Sequence, residues 1–155
     1  MSKSMGRVRR ALQEAGLAIE IRELGEARTA RQAADVAGCE LDQIVKSIIF
    51  AGENSGQAVL FLTAGGNQVD GTRASALAGE ALGKADAALI RAQTGFAIGG
   101  VAPVGHLNPI RAFLDPRLME FATIWAAAGT PHHIFQIAPA DLHRLTGAEL
   151  AGFTA

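Results

Sequence analysis

Two short stretches of this sequence combine residue types that could handle a charged or carbonyl-bearing ligand. Lys46 opens the otherwise apolar run Lys46-Ser-Ile-Ile-Phe-Ala51. A charge there is costly unless the ammonium reaches solvent or an anion, and a phosphate would suit it; a lysine snorkelling from a strand end satisfies the same pattern. Farther on, glycine gathers in Thr94-Gly-Phe-Ala-Ile-Gly-Gly-Val-Ala-Pro-Val-Gly-His106. Within it, Gly99 and Gly100 allow a backbone to approach a ligand closely, and Pro103 fixes the exit of the loop. Exposed N–H groups in such a turn can hold a carbonyl oxygen or an oxyanion, although a plain turn between strands reads the same way.

The other reactive residues form no familiar constellation. There is no Gly-x-Ser-x-Gly elbow, His-Glu-x-x-His pair, phosphate-binding Walker loop or dinucleotide Gly-x-Gly-x-x-Gly. His106, His132, His133 and His143 match no common metal spacing, and a lone Cys39 can build neither a disulfide nor a Cys-rich site. The reading is therefore of no metal and no cofactor, with Cys39 a small core residue. A single cysteine suits a reducing, cytoplasmic compartment. The net charge of −1 argues against a protein that coats DNA or RNA, so any nucleic-acid contact must be local. The densest basic cluster is Lys3, Arg7, Arg9 and Arg10, a pattern that a solvated helix face also explains.

The elements that must position these residues follow from periodicity and punctuation. Val8, Leu12 and Ala15 recur at helical spacing between Ser4 and Gly16. Ala18 to Leu24, with Ile19 and Ile21, suits a short strand. Thr29 caps a helix over Ala30–Ala37 that stops at Gly38, followed by a helical turn over Glu40–Val45. Lys46–Ala51 and Ala58–Thr63 flank a turn-rich segment and read as a β-hairpin. Asp70–Leu82 is helix-like, and Asp86 caps another helix ending near Gly95. Thr123–Ala128 and Ile134–Ile137 read as strands, and Pro139 starts a helix through Leu145. The 155 residues fit one domain, residues 1–155, of α+β (mixed α/β) class, with a mixed sheet curled into a partial barrel and helices outside. Neither a signal peptide nor a membrane span is expected, because no apolar run approaches the roughly 20 residues a bilayer requires.

The lysine opening Val45-Lys-Ser-Ile-Ile-Phe50, the Thr94–His106 segment with its Gly-x-x-x-Pro element, and Trp125-Ala-Ala-Ala-Gly-Thr-Pro131 occur in this order. Together they resemble the YbaK/prolyl-tRNA-synthetase-associated editing family over roughly Thr29 to Leu145. The resemblance implies an aminoacyl-tRNA deacylase acting in trans on mischarged tRNA, typically proline tRNA bearing alanine, cysteine or a similar small residue. It implies that Lys46 holds a phosphate of the CCA end and that the Gly99–Pro103 loop, with Gly99 and Gly100, places the aminoacyl carbonyl. Chemistry would be substrate-assisted, through the neighbouring ribose hydroxyl or a water held near it. Ala128, Gly129 and Thr130 match the loop lining the amino-acid pocket, and Ile48, Ile98, Val101 and Pro103 join as substrate-binding walls.

The alanine-specific branch follows its lysine with asparagine and carries His-Pro in the later loop. This chain has Lys46-Ser47 and Thr130-Pro131-His132, so the amino acid stays open. Implied partners are the tRNA acceptor end and a prolyl-tRNA synthetase or elongation factor, with no DNA and no membrane, on a monomer or weak dimer. The other reading is a non-catalytic tRNA- or nucleotide-binding module assisting a synthetase. Since Cys39 is not the nucleophile, Cys39→Ser is expected to deacylate at a rate near wild type. Abolished activity would restore a thiol mechanism.

Overall fold

The computed structural model describes residues 3–18 and 20–155, so Ile19 of the expected first strand lies outside the described residues. Helix α1 (Lys3–Glu14) buries Val8 and Leu12, one turn apart on the face that meets the core. Strand β1 (Ile21–Glu23) follows, then α2 (Ala30–Ala37). Thr29 caps α2 in a reciprocal capping box with Gln32, and Gly38 closes it in the left-handed conformation. A 3-10 turn (Leu41–Gln43) leads into the hairpin β2 (Val45–Gly52) and β3 (Ala58–Ala64). Asp70 caps α3 (Gly71–Ala78), and Asp86 caps α4 (Ala87–Thr94) with β4 (Leu82–Lys84) between them. The chain continues through β5 (Arg111–Leu114), β6 (Ile124–Ala127), β7 (His133–Ile137), α5 (Pro139–Thr146) and β8 (Glu149–Leu150).

The mixed α+β class stands, but the strands form two sheets rather than one curled into a partial barrel. The five-stranded sheet has the order β4-β2-β3-β5-β8, and the three-stranded sheet the order β1-β7-β6. In the larger sheet the hairpin pairs are antiparallel while β3–β5 and β5–β8 are parallel. One parallel bridge, Ile44 to Trp125, ties the two sheets together. Strand β4 begins at Leu82, the last residue of the segment expected to be helical. Gly79, at φ +79°, ends α3 early, and Leu82–Gly52 and Gly83–Ala51 pair instead.

Strand β3 is central and buried along its whole length, which explains a sequence apolar at nearly every position rather than alternating. One of its faces joins the main core with Leu60 and Leu62. The other faces an aromatic cluster built on Phe61. Phe61 is fully buried, stacks on Phe113 at 5.2 Å and meets Phe153 edge-on at 5.0 Å. Among the described residues no helix is long and apolar enough to cross a membrane. Phe61→Ala is expected to cost about 3–5 kcal/mol in urea unfolding, because the two neighbouring rings cannot close the void. A loss below about 1 kcal/mol would show that this cluster is not a keystone of the sheet.

Candidate active site

The open edge of β2 borders a cavity. Gly52 N–H bonds to Gln57 carbonyl at 2.9 Å, which sets the phase of the hairpin: even-numbered residues of β2 bond to β3. Ser47 and Ile49 therefore direct their backbone N–H and C=O to the opposite edge. There β4 pairs only with Phe50–Gly52, and β6 forms a single backbone bridge, at Ile44. The wedge between is a cavity of about 510 Å³, walled by Val45–Ile49 on one side and Trp125, Ala127, His133 and Ile134 on the other. The start of α2 and the Gly99 and Thr130–Pro131 loops complete it. Its size falls within the roughly 300–1,000 Å³ of small-molecule sites.

Six of the ten residues singled out from sequence line this cavity: Lys46, Ile48, Ile98, Gly99, Val101 and Thr130. Ile98 is 61% exposed, a large apolar side chain left in solvent. The other four do not line it. Ala128 is fully buried in the main core, and its N–H bonds to His133 carbonyl at 2.9 Å. Pro103 is buried within its loop. Gly129, at φ +94°, comes so close to α1 that a Cβ would sit 2.8 Å from Ser4 carbonyl oxygen, and it borders a neighbouring hollow instead. Gly100 has its N–H committed to Ala97 carbonyl at 3.0 Å, and a Cβ there would lie 2.8 Å from the Thr130 backbone. Its hydrogen lets two loops touch; its amide is not free for a substrate oxygen. The N–H groups of Gly99 and Val101 have no hydrogen-bond partner among the described residues.

Lys46 is held from behind. Side chains alternate along β2, so Lys46 lies on the face of Ile48 and Phe50, opposite the main-core face of Val45 and Ile49. Its ammonium donates to Asn67 carbonyl at 2.5 Å. The Asn67 amide in turn donates to Asp115 at 2.9 Å, and the buried Asp115 also accepts the Ala64 and Arg117 N–H groups. Asp42 accepts Gly66 N–H and pairs with Arg117 at 3.0 Å, which holds its carboxyl below the usual range. Burial pushes Lys46 below the ordinary lysine value, while the Asp42 and Asp115 carboxylates pull it back up. The ammonium is thus docked beside the cavity, against Asn67, rather than against the Gly99 loop.

Three further lining residues, Ser47, His133 and Arg28, stand outside those ten. Ser47 Oγ is buried in the wall with no hydrogen-bond partner among the described residues, an unmet polar atom at a ligand-sized space. His133 lines the cavity with Nδ1 2.6 Å from Thr130 Oγ1, which also accepts His132 N–H. The Thr130 hydroxyl is therefore engaged within its own loop. Arg28 brings a cation to the wall, 3.5 Å from the exposed His132 ring. His106 lies elsewhere, with Nε2 2.7 Å from Ala102 carbonyl and burial lowering its pKa, where it ties the glycine-rich loop to itself. Cys39 is half-buried under α2, its pKa raised by burial, and does not line the cavity. No group of three or more His, Cys, Asp or Glu suited to a metal is found among the described residues.

Residues 25–145 match the family model of the aminoacyl-tRNA editing domain, a span that contains every cavity-lining residue except Leu24. The chain belongs to the aminoacyl-tRNA editing domain family. A crystal structure provisionally assigned as a trans-editing enzyme for prolyl tRNA synthetase is 44% identical, with a TM-score of 0.92 over 100% of this chain and 99% of that one. The hypothetical protein APE2540 superposes with a TM-score of 0.86 at 25% identity, over 96% of this chain and 99% of that one. YwhH of Bacillus subtilis (strain 168), an uncharacterised protein, is 32% identical over 114 residues, 74% of this chain and 72% of its own length.

The editing-domain cavity makes a measurable electrostatic statement. A side-chain carbon NMR titration should place the Lys46 midpoint below the ordinary 10.5, and Asp42→Asn should lower it further, because a carboxylate that stabilises the ammonium is removed. A midpoint at or above 10.5, or an upward move in the variant, would show that burial does not dominate at this lysine.

Proposed function

We propose that this editing domain is a trans-acting deacylase that hydrolyses the ester between a small, wrongly attached amino acid and the terminal ribose of a tRNA, with proline tRNA the leading candidate. The observation that carries this reading is a small cavity on an open strand edge, with a lysine at its side and two uncommitted loop amides, in a chain of the editing family. An ester of this kind needs an oriented attacking oxygen and stabilisation of the charge that grows on the carbonyl oxygen. No side-chain nucleophile paired with a base is required, which accords with walls made mostly of Ala, Ile and Val.

In this mechanism a water beside the neighbouring ribose hydroxyl attacks the acyl carbon. The bond from that carbon to the ribose oxygen breaks, and the departing oxygen takes the proton, leaving free amino acid and a tRNA with its terminal hydroxyl restored. The amides of Gly99 and Val101 face the developing oxyanion, and Lys46 positions a phosphate of the RNA end without reacting. To do so its ammonium exchanges the Asn67 carbonyl for a phosphate oxygen, a swap of a neutral acceptor for a charged one. The unpaired Ser47 hydroxyl and the Ser47 and Ile49 backbone groups supply polar contacts for the amino acid, while the apolar walls favour a short side chain.

Deacylation of tRNA(Pro) charged separately with alanine, cysteine, serine and 2-aminobutyrate tests activity and specificity together. Lys46→Ala should lower the rate roughly 10- to 100-fold, the scale of one charge-assisted hydrogen bond, with the unfolding midpoint nearly unchanged. Unaltered deacylation in that variant would remove Lys46 from the site. An ester lifetime unchanged or prolonged by the wild-type protein would point to a binding module instead of a hydrolase.

A further inference from the structure

A second hollow of about 410 Å³ adjoins the cavity, and Thr130 and Pro131 form the wall between the two. It runs between α1 and α4, and its charged lining is Lys3, Arg7 and Arg91. Lys3 and Arg7 lie one helical turn apart, so they share a face of α1, and Arg91 in the last turn of α4 also lines the hollow. Among the described residues, neither hollow is lined by a single Asp or Glu, in a chain whose acidic residues outnumber its Lys and Arg, 15 to 14. Single-signed lining of this kind, against a negative net charge, marks the face that meets a polyanion.

The three cations are built differently. Arg7 is fixed: its guanidinium donates to the carbonyls of Gly95 and Gly105 and packs over the Phe96 ring at 5.0 Å. The side chains of Lys3 and Arg91 are exposed and make no hydrogen bond or ion pair with the described residues. One fixed charge thus shares the hollow with two exposed ones. The hollow is also braced against the cavity, since Ser4 Oγ donates to Gly129 carbonyl at 2.7 Å and pins the start of α1 to the loop carrying Thr130.

We propose that this hollow is a binding track for the sugar-phosphate backbone of the RNA strand whose acylated terminal nucleotide occupies the neighbouring cavity. The inference rests on the deacylase reading. A strand whose end is buried beside Lys46 must leave over the rim, and the phosphates preceding that end then cross the Thr130–Pro131 wall onto Lys3, Arg7 and Arg91. Cations line both hollows, Arg28 and Lys46 in the cavity and Lys3, Arg7 and Arg91 beyond the wall, which suits the repeated negative charge of a nucleic-acid strand. Local placement of this kind reconciles binding to RNA with a net charge of −1.

The test uses the full chain and the double variant Lys3→Glu with Arg91→Glu, whose unfolding midpoint should match wild type because both side chains are exposed and unpaired. Two substrates are compared: an aminoacylated RNA hairpin with a single-stranded 3′ end, and an aminoacylated adenosine 5′-phosphate too short to reach the track. For the hairpin, KM should rise about tenfold, and the slope of log KM against log salt should become shallower by about 0.7 for each phosphate that the protein no longer neutralises. The short substrate should be hydrolysed by the variant as by wild type. An unchanged KM and salt slope for the hairpin would overturn the proposal. If the wild type cleaves neither ester, it is the deacylase reading that fails. The track is then tested by fluorescence anisotropy of the uncharged hairpin, where equal affinity of variant and wild type sinks it. Displacement of that hairpin by a polyglutamate peptide of equal charge, as effectively as by unlabelled hairpin, would assign the hollow to an acidic protein partner and also overturn the proposal.

Discussion

A single backbone bridge, Ile44 to Trp125, is the constraint from which the site follows. It joins two sheets at one point and leaves β2 and β6 to diverge beyond it. An unpaired strand edge is ordinarily a liability, because its N–H and C=O groups seek another strand. Here the edge between Ser47 and Ile49 is half-buried and lines a cavity whose other walls include α2, β6 and the Gly99 and Thr130–Pro131 loops. The fold leaves that short length of edge unsatisfied and gives it a cavity. Had β6 remained parallel to β2 through Ala127, the sheets would have fused and the hollow would have closed.

Around that wedge the charges are sorted by side. The carboxylates of Asp42 and Asp115 stand behind Lys46, each occupied by backbone amides, Arg117 or Asn67, while the cavity lining itself contains none. The two carboxylates offset part of the burial that lowers the lysine's pKa, and neither lines the cavity where the proposed phosphate would enter. On the proposed deacylase reading, such a site would stabilise charge by position rather than by a reactive side chain.

Much of the local structure was legible in the sequence because its signals are short-range. Thr29, Asp86 and the glycines at 38 and 95 bracket α2 and α4 as capping chemistry requires, and the apolar runs on either side of the turn at residues 52–57 could pair only as a hairpin. Strand β4 was missed because three residues carry no period of their own; Leu82–Lys84 is extended only because Phe50–Gly52 offers a partner. The loop motifs mix two roles. Gly99 and Thr130 line the cavity, whereas Gly100 and Gly129 exist for close approach to Thr130 and Ser4, far away along the chain.

The amino-acid order by itself determined the helices, the hairpin, the mixed α+β class and the lysine and glycine motifs that mark the family, since each is set by neighbours a few residues apart. Only the tertiary structure decided that the strands divide into two sheets, that Lys46 docks on Asn67, that the Gly100 amide is spent inside its loop, and that Ser47, Arg28 and His133 join the wall. These features depend on packing across tens of residues, where a hydrogen bond or a void arises from the meeting of separate elements and leaves no periodic trace in either one.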